Sequence, residues 1–365
     1  MLYEEIFDKI NIKNIEITNR IVFPPINTSF CDENGFVTKR LISFYSSISK
    51  SCVGINIVGS TTVSKNGRVN YYGIRSDNDM YIKGLSKLIK SIKNNYSIPI
   101  IQLNHAGQLS NSKVTGVKPV SPSSMISYYG EKSIELSVEQ IQDIIKDFIV
   151  AANRIQKAGG GGVEIHAAHG YLIHQFLSPL TNKRKDEYGG SLNNRARFLY
   201  EIIDGIQNAT NDNFLLLCRI SAFDSINTSC NMQEAIEICK KIEALGVDII
   251  DVTAGLYGDR KLLYPNSTFY KEARLEAADN IKSNVDKPVI ATGYIKNLSE
   301  ANDIISKNIA DFVGLGRSLI ANPNLIKNEI KKIDNTKNCI WCNFCAYDWQ
   351  SKKRLECKIR HLSKI

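Results

Sequence analysis

Hydrophobic positions along the chain gather into short runs rich in β-branched residues, separated by longer stretches in which apolar residues recur every three or four positions. The short runs are "RIVFPPI", "GINIVGS", "IPIIQLNHAG", "GVEIHAAHG", "FLLLCRIS", "VDIIDVTAG", "PVIATG" and "DFVGLGR". Each has the length and near-continuous apolar character of a strand buried on both faces. The clearest intervening stretch opens at Ser137, with Gln140 three residues on as a capping box. Ile141, Ile144, Ile145, Phe148, Ile149 and Ala152 then fall on one helical face, and Gly159 closes it. A second helix begins near Ser299, with Ile304 and Ile305 turned inward. Strands alternating with helices predict a parallel sheet, and eight such units predict an α/β fold, a closed (β/α)8 TIM barrel. No second domain-sized block or low-complexity linker interrupts the pattern. The barrel is expected over residues 1–326, and 327–365 form a C-terminal extension of helix and loop.

Composition narrows the class. A 43% hydrophobic and 23% charged chain of 365 residues is ordinary for a globular protein. The start, "MLYEEIFDKINIKN", lacks a basic segment followed by an apolar one, and the longest apolar runs, such as "FLLLC" near Leu216, are far too short for a membrane span. A cytoplasmic protein without membrane contact is expected, its thiols reduced and its clustered cysteines suited to metal rather than disulfides. The formal net charge is +9; residues 327–365 carry ten basic and four acidic side chains, so +6 of it lies in the extension. No nucleic-acid motif accompanies that charge. A solvated surface or an acidic redox partner protein accounts for it.

In a barrel the chemistry sits at the C-terminal ends of the strands. Asn27 and Thr28, Ser60, Gln102 with His105, His166 with His169, Arg219, Gly293, and Gly316 with Arg317 all fall there, including three of the five histidines. In "EIHAAHGYLIHQFLSP", His166 and His169 follow an apolar strand and Tyr171 comes two residues later. Three readings stand: two metal ligands lacking an evident third, a pair of hydrogen-bonded structural histidines, or two imidazoles donating to one substrate oxygen beside a Tyr171 proton donor. "PVIATGYIKN" and "DFVGLGRSLIANP" place Gly293 and Gly316 at strand ends before helices, with Arg317 adding a forked cation; loops after the last two strands often hold a phosphate. Arg219 ends an otherwise apolar strand and needs either a structural ion pair or an anionic cofactor, and Gln102 is placed to read an amide edge. The loops after the strands, "SSMISYYGEKSIEL" among them, are expected to select the substrate.

Taken in order, "NRIVFPPINT", "QLNHAGQ", "VEIHAAHGYLIHQFLSPLTNKRKDEYGGSLNNRARF", "CRIS", "PVIATG" and "GLGRSLIANP" resemble the Old Yellow Enzyme family of flavin oxidoreductases from about Asn14 to Pro323. The resemblance implies a barrel that binds FMN noncovalently and reduces activated C=C bonds. It implies that Pro25, Asn27, Ser60, Gln102 and Arg219 contact the isoalloxazine, and that Gly293, Gly316 and Arg317 take the phosphate. His166 and His169 would bind the substrate carbonyl. Tyr171 would protonate the α-carbon after hydride reaches the β-carbon. The chain departs from its relatives at Asn27, where many have Thr or Cys, and at Tyr294, where a second small residue is common.

The extension holds four of the nine cysteines, Cys339, Cys342, Cys345 and Cys357, with two, two and eleven residues between them. Four thiolates suit a [4Fe–4S] cluster or a structural zinc, and reduced free thiols are the third reading. The spacing is similar to that of the subgroup containing 2,4-dienoyl-CoA reductase and trimethylamine dehydrogenase, which implies a [4Fe–4S] cluster exchanging single electrons with FMN. Trp341 and the missing Asn-Pro after "CKIRH" depart from that pattern. Asn27 stands where trimethylamine dehydrogenase has its flavin-linking cysteine, which implies a noncovalent flavin. NAD(P)H or a separate redox protein would then supply electrons. The leading expectation is an enone or enoate reductase; an amine dehydrogenase and an electron-transfer subunit without its own turnover are the alternatives.

Overall fold

The computed structural model of the chain describes residues 3–127, 130–224, 232–256, 267–333, 337–346 and 353–360. All eight apolar runs are strands: β1 (Ile21–Phe23), β2 (Ile55–Thr62), β3 (Ile98–Asn104), β4 (Gly162–Ala167), β5 (Leu215–Ser221), β6 (Ile249–Thr253), β7 (Val289–Thr292) and β8 (Phe312–Gly314). Neighbours pair in parallel in chain order, and β8 returns to pair with β1, which closes the barrel. Helices α1 (Lys39–Ser49), α2 (Ile82–Lys93), α3 (Val138–Lys157), α4 (Leu192–Ala209), α5 (Met232–Ala244), α6 (Thr268–Lys282) and α7 (Leu298–Ser306) lie between successive strands. After β8 come the short α8 (Arg317–Ala321) and α9 (Leu325–Ile330). Among the described residues no helix is long and apolar enough to cross a membrane.

Local chemistry explains the helix ends. At α3 the Ser137 hydroxyl accepts from the Gln140 N–H at 3.2 Å and the Gln140 side chain accepts from the Ser137 N–H at 3.0 Å, the reciprocal cap that the sequence implies. Asn297 caps α7 by accepting from the Glu300 N–H at 2.8 Å, so this helix begins at Leu298. Ile304 is buried there and Ile305 partly so.

The inward-facing strand positions decide where the site can be. Near the N-terminal ends, Val22, Ile55, Ile57, Ile100, Leu215, Leu217, Ile249, Ile290 and Phe312 fill the barrel, and Ile12 and Ile17 of an N-terminal hairpin close it from below. The corresponding position on β4 is Gly162, where a Cβ would sit 2.3 Å from the Leu215 carbonyl oxygen. Two residues further along, the inward positions become polar: Gln102 lies opposite Glu164 across β3 and β4, and Arg219 opposite Asp251 across β5 and β6. All four are buried. An apolar floor therefore carries a polar layer, and whatever binds must bind above it.

The extension opens with the end of α9, and its further described parts, 337–346 and 353–360, contain no helix or strand. They are tied to the barrel by side chains and one backbone bond. Leu355 is fully buried and its N–H donates to the Thr28 carbonyl at 2.9 Å. Arg354 stacks on Tyr72 at 4.6 Å, and Arg360 donates to Ser47 at 3.1 Å.

Candidate active site

An open cleft of about 1190 Å³ lies at the C-terminal ends of the strands. Pro25, Asn27, Ser60, Gln102, His166, His169, Tyr171, Arg219, Gly293, Gly316 and Arg317 all line it, so eleven barrel positions singled out in the sequence meet in one place, while Thr28 stays outside the lining. His105 does not join them. It is buried, and its ring accepts from the Gly107 N–H at 3.0 Å and donates to Asn66 at 3.2 Å, which makes it structural. The loop "SSMISYYGEKSIEL" contributes no lining residue from its described positions; it braces a small parallel pair, Val120–Ser121 with Ile134–Glu135, while Tyr128 and Tyr129 lie outside the described residues.

At the floor, the Gln102 amide donates to Glu164 at 2.7 Å. Arg219 lies 3.2 Å from Asp251, near enough for an ion pair though not aligned as a hydrogen bond. Burial raises the Glu164 carboxyl well above the usual range, and the neighbouring Asp251 adds to it. Burial raises Asp251 as well, with Arg219 and Arg274 opposing it, so the two neighbouring carboxyls hold their protons more tightly than exposed ones do. A raised folded pKa confers stability that is complete below the ordinary value of 4.5 and is lost as pH rises through the folded value. Glu164→Gln can still accept from Gln102 and has no proton to lose. Its melting temperature should match the wild type near pH 4.5 and exceed it increasingly toward pH 8; equal melting curves at pH 8 would contradict a raised Glu164 pKa.

On the wall, His169 and Gly170 both have left-handed backbones, with φ of 62° and 75°, which double the chain back after β4. The His169 N–H donates to Ser221 at 3.1 Å, and the Gly170 N–H donates to the His174 ring at 2.9 Å. His174 in turn lies 2.7 Å from the buried Asp224. This turn sets the Tyr171 ring against His166, centroids 4.8 Å apart. Burial, reinforced by Arg219, holds both imidazoles well below the ordinary histidine range, so they are neutral. His166 Nδ1 is buried and has no partner, whereas both nitrogens of His169 are engaged, one with His166 at 3.4 Å and one with Thr253 at 3.0 Å.

The far wall holds residues that sequence reasoning missed as lining: Arg274, Thr292, Tyr294, Trp341 and Ala346. Trp341 packs edge-on against Tyr294 at 4.5 Å and beneath the Arg317 guanidinium at 4.5 Å, and Arg317 donates to Asn343 at 2.5 Å. Gly293 has φ of 125°, open only to glycine, and Tyr294 follows at 57°. The extension thus forms part of the cleft. Cys345 lines both this cleft and a second, smaller cavity of about 290 Å³ that Cys339, Cys342 and Cys357 also line. Burial raises the Cys345 thiol to about 11 and the Cys339 thiol by less, with Arg317 opposing both. Among the described residues no group of three or more His, Cys, Asp or Glu side chains closes to metal-holding spacing.

A model of the NADH:flavin oxidoreductase / NADH oxidase family matches residues 5–336. The chain belongs to this family. It is 36% identical over 351 residues to an NADH oxidase of Thermoanaerobacter brockii, covering 93% of this chain and 53% of that protein. To an NADPH dehydrogenase of Clostridium acetobutylicum it is 36% identical over 330 residues, covering 90% and 95%. Among solved structures, a 2-naphthoyl-CoA reductase superposes with a TM-score of 0.91 at 28% identity, over 98% of this chain and 57% of that one. The chain therefore spans about half of two of these relatives and nearly all of the third. The first and last matches also cover more of this chain than the compact NADPH dehydrogenase does.

Family membership makes FMN the cofactor, and the donor set of the cleft fits it. One buried guanidinium nitrogen, Arg274 Nε, has no hydrogen-bond partner, Arg219 adds a second cation to the lining although its Nε lies by Asp251, and Arg317 with the Gly316 turn at the head of α8 offers a cationic end. A planar anionic molecule with a phosphate at one end answers these groups.

Proposed function

We propose that this protein reduces the activated C=C bond of an enone or enoate. When bound, FMN supplies the hydride. Gln102 and Arg219 would hold its ring system over the polar floor, with Pro25, Asn27 and Ser60 along the edge, and Gly293, Gly316 and Arg317 would hold its phosphate. His166 offers a neutral N–H to the substrate oxygen, and His169 stands behind it. Tyr171, on the same wall, supplies the proton to the α-carbon. The observation that carries this reading is the unpartnered His166 Nδ1 beside the Tyr171 ring: a neutral donor serves an oxygen acceptor and offers nothing to an ammonium substrate. NADH or NADPH, the donors in the relatives' names, would reduce the flavin.

The four cysteines fit a [4Fe–4S] cluster by donor type and by their shared cavity. Cys339, Cys342, Cys345 and Cys357 would hold it, and the group would supply one-electron chemistry. An anaerobic preparation assayed together for FMN, iron, acid-labile sulfide and zinc tests both halves. FMN with about four iron and four sulfide per chain is expected, with enone-dependent oxidation of NADH or NADPH. Protein that neither carries FMN nor takes it up would sink the reductase reading; FMN with zinc would make the cysteine cavity structural.

A further inference from the structure

A file of hydrogen bonds runs from the shell of the barrel to the buried, unpartnered Nδ1 of His166. Arg274, on α6, is buried and reaches inward to donate to the hydroxyl of Thr253, at the end of β6. Thr253 Oγ1 lies 3.0 Å from His169 Nε2, and His169 Nδ1 lies 3.4 Å from His166 Nε2. His166 Nδ1 then faces no protein partner.

The chemistry of the first member gives the file a direction. Arginine has only donors, so the Thr253 oxygen must accept from it. The Thr253 proton then needs an acceptor, and His169 Nε2 is the one that the fully buried hydroxyl has. Were His169 to donate instead, the hydroxyl proton would be buried without a partner, at a cost of about 1–3 kcal/mol. With Nε2 accepting, neutral His169 carries its proton on Nδ1 and donates to His166 Nε2. His166 in turn carries its proton on Nδ1, pointing away from the file.

We propose that Thr253 and Arg274 are positioning residues that fix the tautomers of His169 and His166, so that His166 always carries an N–H, never a lone pair, at its unpartnered Nδ1. The value of this to catalysis rests on the reductase reading above; the tautomers themselves do not. Every member acts through the next, so loss of either positioning residue should alter which ring nitrogen is protonated before it alters the fold.

Nitrogen-15 NMR of histidine-labelled holoprotein tests this directly. Five histidines give few signals, and variants H166N and H169N assign two of them. In the wild type both rings should show a protonated Nδ1 and a bare Nε2 between pH 6 and 8. T253S and R274K, which keep the hydroxyl and the donor, should retain that pattern. T253V should move the His169 Nε2 signal out of the bare region, and R274M should shift it part of the way. A wild-type His166 protonated on Nε2, or a T253V spectrum identical to wild type, overturns the proposal. Should the tautomers be as stated while no enone is turned over, the reductase reading fails and this one stands. A T253V protein that turns enones over normally with a shifted tautomer would leave the assignment intact and remove its role in binding.

Discussion

Replacing Tyr171 by phenylalanine is expected to lower kcat for an enone by about 10²–10⁴-fold, the range for loss of a positioned general acid, or roughly 3–5 kcal/mol of barrier. The effect should be confined to the proton step. The phenyl ring would keep its packing against His166, where the centroids are 4.8 Å apart, and its place in the apolar cluster with Val69, Ala106 and Leu109. FMN content and the rate of flavin reduction by NADH or NADPH should therefore stay within about twofold of wild type, because nothing in the proposed hold on the cofactor passes through Tyr171. Stopped-flow measurement of the two half-reactions separates these outcomes. If reoxidation by the enone were as fast in the variant as in wild type, the proton would come from solvent and the assignment to Tyr171 would be wrong. A variant that had lost its flavin would instead show Tyr171 to be part of the cofactor wall.

The barrel and most of the cleft were legible because both follow from chain periodicity. Inward positions on a strand recur every second residue, so "VEIHA" places Glu164 and His166 on one face and "LLLCRIS" adds Arg219 to the same interior. The coupling of Glu164 to Asp251 was not legible. They sit on β4 and β6, either side of β5, and come together only because the closed sheet curves them toward one axis. Arg274 carries even less signal. In "YKEARLEAAD" it reads as one more charged position on a helix, and only the docking of α6 on β6 sends it inward. Trp341 and Cys345 were visible as part of a cysteine motif, yet nothing in their spacing says that the extension folds back to wall the cleft. That depends on single contacts, Trp341 with Tyr294 and Arg317, between segments remote in sequence.

That shared wall makes serine replacements in the cysteine set informative in pairs. Cys342 is exposed and lines only the smaller cavity, whereas Cys345 lines the cleft as well. C342S and C345S should both reduce iron and acid-labile sulfide to a small fraction of the wild-type content, since a cluster held by four thiolates is weakened by loss of either. Burial keeps the Cys345 thiol protonated at neutral pH, so assembly must displace a proton, and reconstitution with iron and sulfide should be faster as pH rises from 7 to 9. FMN separates the two variants. C342S should retain about one FMN per chain with an unchanged affinity, because its side chain does not reach the cleft. C345S exchanges a thiol for a smaller, more polar hydroxyl in the cleft wall beside Ala346, and its FMN dissociation constant should rise while Leu355 still anchors the extension. Full iron and sulfide in C342S would show that the four cysteines are not a single ligand set. Equal FMN affinity in the two variants would show that Cys345 lies in the cleft wall without touching what the cleft holds.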